Sequence, residues 1–356
     1  MKVASVVGAR PQFIKIAPLH SEISRSHDHI VIHTGQHYDY EMSQVFFEEL
    51  KIPRPDYVLG VGSASHAVQT SRMLVALEQV LIKERPDLVL VFGDTNSTLA
   101  GALAAAKMCI PVIHVEAGLR SYRKDMPEEL NRVLTDHVSS MLLCPSRLAA
   151  ENLAKEGITS GVHVVGDTMI QCLIGIQPRL DEHVLQTYGL VRGEYVLATI
   201  HRQENADSQA RMKSIVDAIL SHRGTVVLPL HPRTAKNLRA WNMFSGLESA
   251  KRVQILPPLN FMAFAALERY ARVIMTDSGG VQKEAYFFGV PCVTIREETE
   301  WEETVAEGWN TLVGTDTAKI LDALAFPRPG GPRKTSYGDV DVAKRIVKCI
   351  EGKGLG

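Results

Sequence analysis

Short β-branched apolar runs return along almost the whole of this 356-residue chain, and helical patterns fill the spaces between them. Val3–Val7 leads into a helix opened by Pro11, where a proline in the first turn costs no hydrogen bond. Ile30–His33, Leu88–Phe92, Pro111–Val115, Met141–Cys144 and Val162–Val165 follow in the first half. Tyr195–Ile200, Thr225–Leu228, Val253–Leu256, Arg272–Met275 and Pro291–Ile295 follow in the second. Such alternation predicts parallel strands covered by crossover helices on both faces. The expected fold class is α/β, with two doubly wound, Rossmann-like domains. A chain of 356 residues is too long for one ordinary core. The less regular stretch Asp167–Gly193 holds the hinge, giving domains over residues 1–170 and 171–338, and Asp339–Glu351 reads as a final helix. The Pro/Gly-rich stretch Phe326–Pro332 reads as a loop.

Composition narrows the partners. The formal net charge is −1, so neither nucleic acid nor an anionic membrane is implied. No apolar run reaches the roughly 18 residues needed to span a bilayer. Met1–Gly8 reads as a first strand, not a signal peptide. Cys109, Cys144, Cys172, Cys292 and Cys349 are scattered without a CxxC pair, as small buried hydrophobes in a reducing compartment would be. A cytoplasmic protein is expected. No metal is expected: His27 with His29, and His33 with His37, lack a helical i,i+4 zinc pattern with a third ligand, and Asp339-Val340-Asp341 is explained by the start of the last helix.

The strand ends carry the polar residues that matter. Thr276-Asp277-Ser278-Gly279-Gly280-Val281-Gln282-Lys283-Glu284-Ala285 follows a strand and opens a helix. Glycines there let the main chain approach a phosphate, and the N–H groups of a helix start attract an anion. Ser278, Gly279 and Gly280 are candidate diphosphate contacts, and Glu284 is placed for a ribose hydroxyl. A plain helix cap is the bland alternative. In Gly8-Ala9-Arg10-Pro11-Gln12-Phe13-Ile14-Lys15, Arg10 offers phosphate a planar fork and Lys15 a point charge, or both are solvated cations. Asp94, in Gly93-Asp94-Thr95, is an acid at a strand end or a helix N-cap. Glu116, before a Gly turn, is a reactive carboxylate or the partner of Arg120. Glu128 and Glu129 suit a helix dipole, and Arg132 lies four residues after Glu128 for an ion pair. His201, beside Arg202, can bind phosphate or shuttle a proton. Phe261 and Phe264 are core residues or a cover for a uracil ring.

Taken together, Gly8–Pro11, Gly93–Thr95, His114–Arg120, Pro127–Arg132, His201–Asn205 and Thr276–Gly280 occur in the order found in the non-hydrolysing UDP-N-acetylglucosamine 2-epimerases. The chain resembles that family over nearly its whole length. The resemblance implies a glycosyltransferase-B-like fold with the active site between the domains, a last helix (339–356) crossing back to the first domain, and a homodimer. It implies interconversion of UDP-GlcNAc and UDP-ManNAc by anti elimination of UDP through 2-acetamidoglucal, without metal or nicotinamide. By motif position, Asp94, Glu116 and Glu128 match the catalytic carboxylates, and His201 and Arg132 the important basic residues. Arg10, Lys15, His201, Phe264, Ser278, Gly279, Gly280 and Glu284 make up the expected UDP site. Surface polysaccharide or glycan synthesis is the implied role.

Two stretches depart from the family pattern. Gly35-Gln36-His37-Tyr38-Asp39-Tyr40 replaces an Ala-Gln-His-Arg loop that, with an arginine matching Arg72, holds a second, allosteric UDP-GlcNAc. Gln36, His37 and Arg72 are the allosteric candidates, while Tyr38 and Asp39 break the pattern. Arg296-Glu297-Glu298-Thr299-Glu300-Trp301 carries Trp where many members have Arg-Pro, with Arg296 and Glu300 as sugar-side candidates. Both departures resemble the branch acting on UDP-2,3-diacetamido-glucuronic acid. A sugar transferase of the same fold, a hydrolysing epimerase and a silent UDP-sugar sensor are the rival readings.

Overall fold

The recurring apolar runs become two parallel sheets. The computed structural model describes residues 1–36, 49, 50, 52, 54–325, 332–334 and 337–352. It divides into a first unit, Met1–Gln177 with Ser336–Gly356, and a second, Pro178–Thr335. Most of residues 43–50, most of the 326–332 loop and the tail from residue 353 lie outside the described residues.

The first unit holds β1 (Lys2–Val7), β2 (Asp28–His33), β3 (Tyr57–Val58), β4 (Leu88–Phe92), β5 (Val112–Val115), β6 (Met141–Cys144) and β7 (Val162–Val164). Their order is β3-β2-β1-β4-β5-β6-β7, and the pairs are parallel, with Val3 opposite Leu88 and Val6 opposite Val91. The order reverses between β1 and β4. Helices α1 (Arg10–Ile23), α2 (His66–Glu84), α3 (Asn96–Lys107), α4 (Pro127–Val138), α5 (Arg147–Lys155) and α6 (Thr168–Ile176) connect and follow the strands. β4 shows why its sequence is apolar throughout. Leu88, Leu90 and Phe92 enter a core shared with Phe13, Ile16 and Leu19 of α1, while Val89 and Val91 enter a second with Met73 and Leu77 of α2. Each such side chain contributes roughly 1.5–3 kcal/mol on burial. Ala100, Ala104 and Ala105 let α3 lie close against the second face. Strand β3, two residues long, carries no sequence signal.

The second unit repeats the plan. Strands β8 (Tyr195–Thr199), β9 (Thr225–Pro229), β10 (Val253–Leu256), β11 (Val273–Thr276), β12 (Cys292–Thr294) and β13 (Asn310–Leu312) run parallel in the order β10-β9-β8-β11-β12-β13. Its helices are α7 (His183–Thr187), α8 (Gln203–Ala206), α9 (Gln209–Ser221), α10 (Pro232–Ala240), α11 (Phe244–Ser249), α12 (Phe261–Tyr270), α13 (Gly279–Phe288), α14 (Glu302–Ala306) and α15 (Thr317–Leu324). The order again reverses, between β8 and β11.

The last helix, α16 (Val342–Ile350), belongs to the first unit. Val342, Ala343, Ile346 and Ile350 fill the same core as α1, and Arg345 Nε donates to Val165 O at 2.9 Å. Sequence reading started this helix early: Asp339 instead accepts Asp341 N at 2.8 Å and closes the turn before it. Ser65 stands at the N-cap of α2, but its hydroxyl makes no cap bond. Cys109 is exposed, not a buried hydrophobe, and the other four cysteines are buried. Among the described residues no helix is long and apolar enough to cross a membrane.

One buried contact makes the first unit acid-sensitive. His29 stacks on His20 at 4.8 Å, and its Nε2 lies 2.8 Å from Ser5 Oγ. Burial first, and the His20 charge second, push His29 down to about 3. The unfolded chain takes up this proton near the ordinary histidine value while the native state does not. Stability is therefore complete above that value and falls as pH drops toward the native one, by about 2 kcal/mol at pH 5. Denaturant unfolding at pH 7.5 and pH 5 tests this: His29→Gln should remove most of that difference, and an unaltered pH dependence would refute it.

Candidate active site

In the first unit the strand-order reversal places the ends of β1 and β4 side by side, with β5 next to them. Ligands of doubly wound sheets bind at such switch points. Gly8 is required here: a Cβ would lie 2.1 Å from both Ser97 Oγ and Thr34 Oγ1. Gln12 locks the turn, its Oε1 accepting Gly8 N at 2.7 Å and its Nε2 donating to Phe92 O at 2.8 Å. Arg10 opens α1, partly exposed. Lys15, farther along α1, is buried and forms an ion pair with Glu116. Each side chain of that pair is only 8% exposed. Burial of either charge alone would be strongly unfavourable, so the pair is mutually required.

Glu116 follows β5 directly and adopts φ +71°, a left-handed conformation that costs a non-glycine residue about 1 kcal/mol or more. Gly93, at φ +62°, backs the same pair: a Cβ there would sit 2.9 Å from Lys15 Nζ and 3.1 Å from Glu116 Oε2. Asp94 comes next and pairs with Arg132 of α4. Arg132 Nη1 also reaches Glu129 Oε2 at 2.9 Å, and Asn131 Nδ2 donates to Asp94 O at 2.9 Å. Lys15, Gly93, Asp94, Glu116 and Arg132 therefore lie together.

Three alternatives from the sequence are corrected. Asp94 is not the N-cap of α3: Thr95 is, its hydroxyl accepting Thr98 N at 3.3 Å. Arg120 does not pair with Glu116, because its guanidinium is engaged by Asp136 and Glu156, each at 2.7 Å. Arg132 pairs not with Glu128 but with Glu129, which also accepts Ser121 N at 2.9 Å. Glu128, on the first turn of α4 and partly exposed, has no hydrogen bond or ion pair among the described residues.

Beneath this cluster lies an assembly that sequence reading missed. His114 is wholly buried on β5, with Nδ1 2.6 Å from Asp136 Oδ1 and Nε2 2.7 Å from Gly93 O. Asp136 Oδ2 accepts Gly118 N at 3.2 Å and Arg120 Nη1 at 2.7 Å. Burial pushes the Asp136 carboxyl up, but the His114 ring and the Arg120 guanidinium outweigh it and hold the group below the usual carboxylate range.

The second unit builds its part around Asp277, wholly buried at the end of β11. Asp277 accepts the main-chain N–H of His201 at 3.1 Å and of Arg202 at 3.1 Å, and Asn205 Nδ2 at 3.1 Å. It thereby ties the loop after β8 to the loop after β11, across the strand-order reversal. His201 stays 45% exposed, with Nδ1 3.6 Å from Asp277 Oδ1. Ser278 is the N-cap of α13, and its hydroxyl makes no cap bond. The first turn, Gly279 and Gly280, thus presents main-chain N–H groups at a helix start, the geometry that suits an anion. Glu284 is buried one turn on. Fully buried Glu268 of α12 sits beside it, pushed well above the usual range by burial and by the Glu284 charge. Phe264 is partly buried on α12, and Phe261 is core.

Arg296 is fully buried, and its guanidinium meets Glu300 at 2.9 and 3.0 Å. Glu300 and Trp301 line the start of α13, each with an atom 3.5 Å from where a Gly279 Cβ would be. Lys283 lies 4.3 Å over the Trp301 ring. Gln36 Oε1 accepts Ser97 N at 3.0 Å on α3, Arg72 is exposed on α2, and His37 lies outside the described residues. Among the described residues no cluster of His, Cys, Asp and Glu is arranged to hold a metal ion.

The UDP-N-acetylglucosamine 2-epimerase family profile matches residues 21–351. A UDP-N-acetylglucosamine 2-epimerase homolog from Methanococcus maripaludis is 46% identical, over 98% of this chain and 99% of its own. The UDP-2,3-diacetamido-2,3-dideoxy-D-glucuronate 2-epimerase of Pseudomonas aeruginosa is 45% identical over 91% of each chain. The crystal structure of Methanocaldococcus jannaschii UDP-GlcNAc 2-epimerase in complex with UDP-GlcNAc and UDP superimposes with a TM-score of 0.93 at 42% identity, covering 99% of this chain and 100% of that one. The fold is glycosyltransferase-B-like, built of two Rossmann-like units.

Asp277 carries more of the second unit's stability than an ordinary cap. Its replacement strands two main-chain donors and an amide, so Asp277→Ala should cost about 2–4 kcal/mol in denaturant unfolding. Asn260→Ala, which removes the α12 cap onto Ala263 N (2.8 Å), should cost only about 1 kcal/mol. Equal losses would mean that Asp277 is no more than a cap.

Proposed function

The chain belongs to the UDP-N-acetylglucosamine 2-epimerase family, and from that premise we propose that it interconverts UDP-GlcNAc and UDP-ManNAc without hydrolysing them. The observation that carries the proposal is the buried Lys15–Glu116 pair beside Asp94 and Arg132, at the carboxyl ends of β4 and β5. Epimerisation at C2 needs a proton removed on one face of the ring and returned on the other, and carboxylates held against cations are suited to both tasks. As the C2–H bond breaks, its electron pair becomes the C1–C2 double bond of 2-acetamidoglucal, and the C1–O pair departs with UDP. Re-addition of UDP at C1 with protonation of the opposite face of C2 completes the exchange.

The departing UDP gains negative charge. Arg10, His201 and the Gly279–Gly280 N–H groups are the proposed stabilisers, with Ser278 and Glu284 completing the nucleotide site and Phe264 at the uracil. Asp94, Glu116 and Glu128 are the proposed acid–base groups, and Arg132 fixes Asp94. The chemistry balances without metal or nicotinamide. Trp301 against the start of α13 favours a second sugar, UDP-2,3-diacetamido-2,3-dideoxy-D-glucuronate, as the alternative substrate. Gln36 and Arg72 remain proposed members of a second substrate site.

We further infer a homodimer acting in the cytoplasm, its product serving surface polysaccharide or glycan synthesis. An apolar stripe on α2, Val68 (41% exposed), Val75 (59%) and Ile82 (52%), supports the dimer, as do Leu130 (55%) and Leu134 (40%) on α4. Both helices pack on α3. The scattered cysteines, with no CxxC pair, fit a reducing compartment. The pathway rests on the family resemblance alone.

Incubation with UDP-GlcNAc in D₂O, followed by NMR with no metal or nicotinamide added, should give UDP-ManNAc carrying deuterium at C2. Exchange with the diacetamido-glucuronate alone would transfer the assignment to that sugar, and no exchange with either would defeat the reading. Glu116→Gln should keep UDP binding and lose roughly 10²–10⁴-fold in turnover. Light scattering should find a dimer that Val75→Glu with Ile82→Glu converts to a monomer; a monomeric wild type at micromolar concentration would exclude the dimer.

A further inference from the structure

We propose that His114 and Asp136 are positioning residues that set the proton-transfer carboxylates Asp94 and Glu116 through the main chain on which both are mounted. The inference rests on the functional reading of those two acids. Neither His114 nor Asp136 is exposed, so neither touches substrate.

His114 Nε2 donates to the carbonyl of Gly93, the residue just before Asp94, at 2.7 Å. Its Nδ1 lies 2.6 Å from Asp136 Oδ1. The other oxygen of Asp136 accepts the N–H of Gly118, just beyond Glu116, at 3.2 Å. One buried imidazole–carboxylate pair therefore grips both acid-bearing loops, one residue before Asp94 and two residues after Glu116. Both ring nitrogens face oxygen: Nε2 the Gly93 carbonyl, which can only accept, and Nδ1 the Asp136 carboxyl group. Arg120 closes the far side: Nη1 meets Asp136 Oδ2 at 2.7 Å and Leu119 O at 2.7 Å, while Nε and Nη2 each meet Glu156 at 2.7 Å.

The gripped segments would not hold this shape unaided. Gly93, Glu116 and Gly118 all have left-handed φ values, +62°, +71° and +80°. Glu116 has a Cβ and sits there only because its surroundings over-determine it. A displacement of about 1 Å at a reacting group costs on the order of 10²-fold in rate. That gives the assembly a catalytic consequence separable from stability.

Two substitutions of His114 separate its two bonds. The amide nitrogen of glutamine reaches about as far as Nε2, so His114→Gln keeps a donor for Gly93 O. That of asparagine reaches about as far as Nδ1, so His114→Asn keeps the Asp136 contact and strands the Gly93 carbonyl. With the full chain and UDP-GlcNAc, His114→Asn should lose roughly 100-fold in kcat with KM and UDP affinity little changed, and its pH–rate profile should move. His114→Gln should stay within roughly tenfold of wild type. If His114→Asn does not fold, Asp136→Asn is read in the same way, with loss in kcat and not in KM expected. Wild-type kcat and pH profile in the variants, or equal losses that track unfolding stability, would overturn the proposal. A wild-type enzyme that binds UDP but neither converts UDP-sugar nor exchanges C2 hydrogen would sink the functional reading and the proposal with it. Wild-type turnover beside unaffected variants sinks the proposal alone.

Discussion

A carboxylate removed from water must be met by a cation or by several N–H groups, and the acids at the strand ends of this chain show both solutions. Glu116 is met by Lys15, Asp94 by Arg132, Asp136 by His114 and Arg120. Asp277 has no Lys or Arg ion pair among the described residues and is met by two main-chain N–H groups and an amide. The difference matters chemically. An acid held by a side-chain cation can change its proton without releasing the main chain, its cost being the charge left on the partner. An acid that organises main-chain donors loses its reason for being there once protonated. Glu116 and Asp94 are of the first kind, and Asp277 is of the second. The proton chemistry proposed above accordingly falls to the former, and the architecture rests on the latter.

The two units use one topology for different work. In both, the strand order turns back at the first strand, and the loops on either side of that reversal are tied together. In the first unit the tie is Gln12, from the β1 turn to Phe92 O at the end of β4, with the His114–Asp136 pair beneath. In the second it is Asp277, from the β11 turn to the loop after β8. The first arrangement brings side-chain charges together, as acid–base work requires. The second aims main-chain N–H groups outward from a helix whose N-cap hydroxyl makes no cap bond, as anion binding requires.

Much of this was legible because it is periodic or local. Apolar runs such as Leu88–Phe92 predict a doubly buried parallel strand, and Ser278-Gly279-Gly280 after a strand predicts a helix start. Pairing partners were not legible. Sequence spacing offers Arg132 to Glu128, but α4 turns Glu129 inward and brings Arg132 to Asp94, a residue of another loop. Arg120 lies close to Glu116 in sequence, yet its fork is taken by Glu156 at the C-cap of α5. His114 reads as an ordinary strand residue, and Asp136 as a polar residue late in a helix. Only the parallel register of β4 against β5 sets them under the acids. Glu268 carries no sequence signal either, since nothing in an apolar helix marks which acid will face a second one.

The sequence departure at Trp301 acquires a location that its spelling lacked. The indole is buried, Lys283 of α13 lies over its ring, and its Nε1 is 3.5 Å from the Cβ position of Gly279. Glu300, clamped by Arg296, shares that wall. Compared with the Arg-Pro of the family pattern, Trp301 is neither a cation nor a rigid turn, and it gives the start of α13 a flat apolar surface with one N–H donor. The main-chain donors that suit a diphosphate are untouched by that exchange. What changes is the chemistry beside them. We therefore propose that the nucleotide end of the substrate is the well-specified end and that the Arg296–Trp301 wall discriminates between sugars.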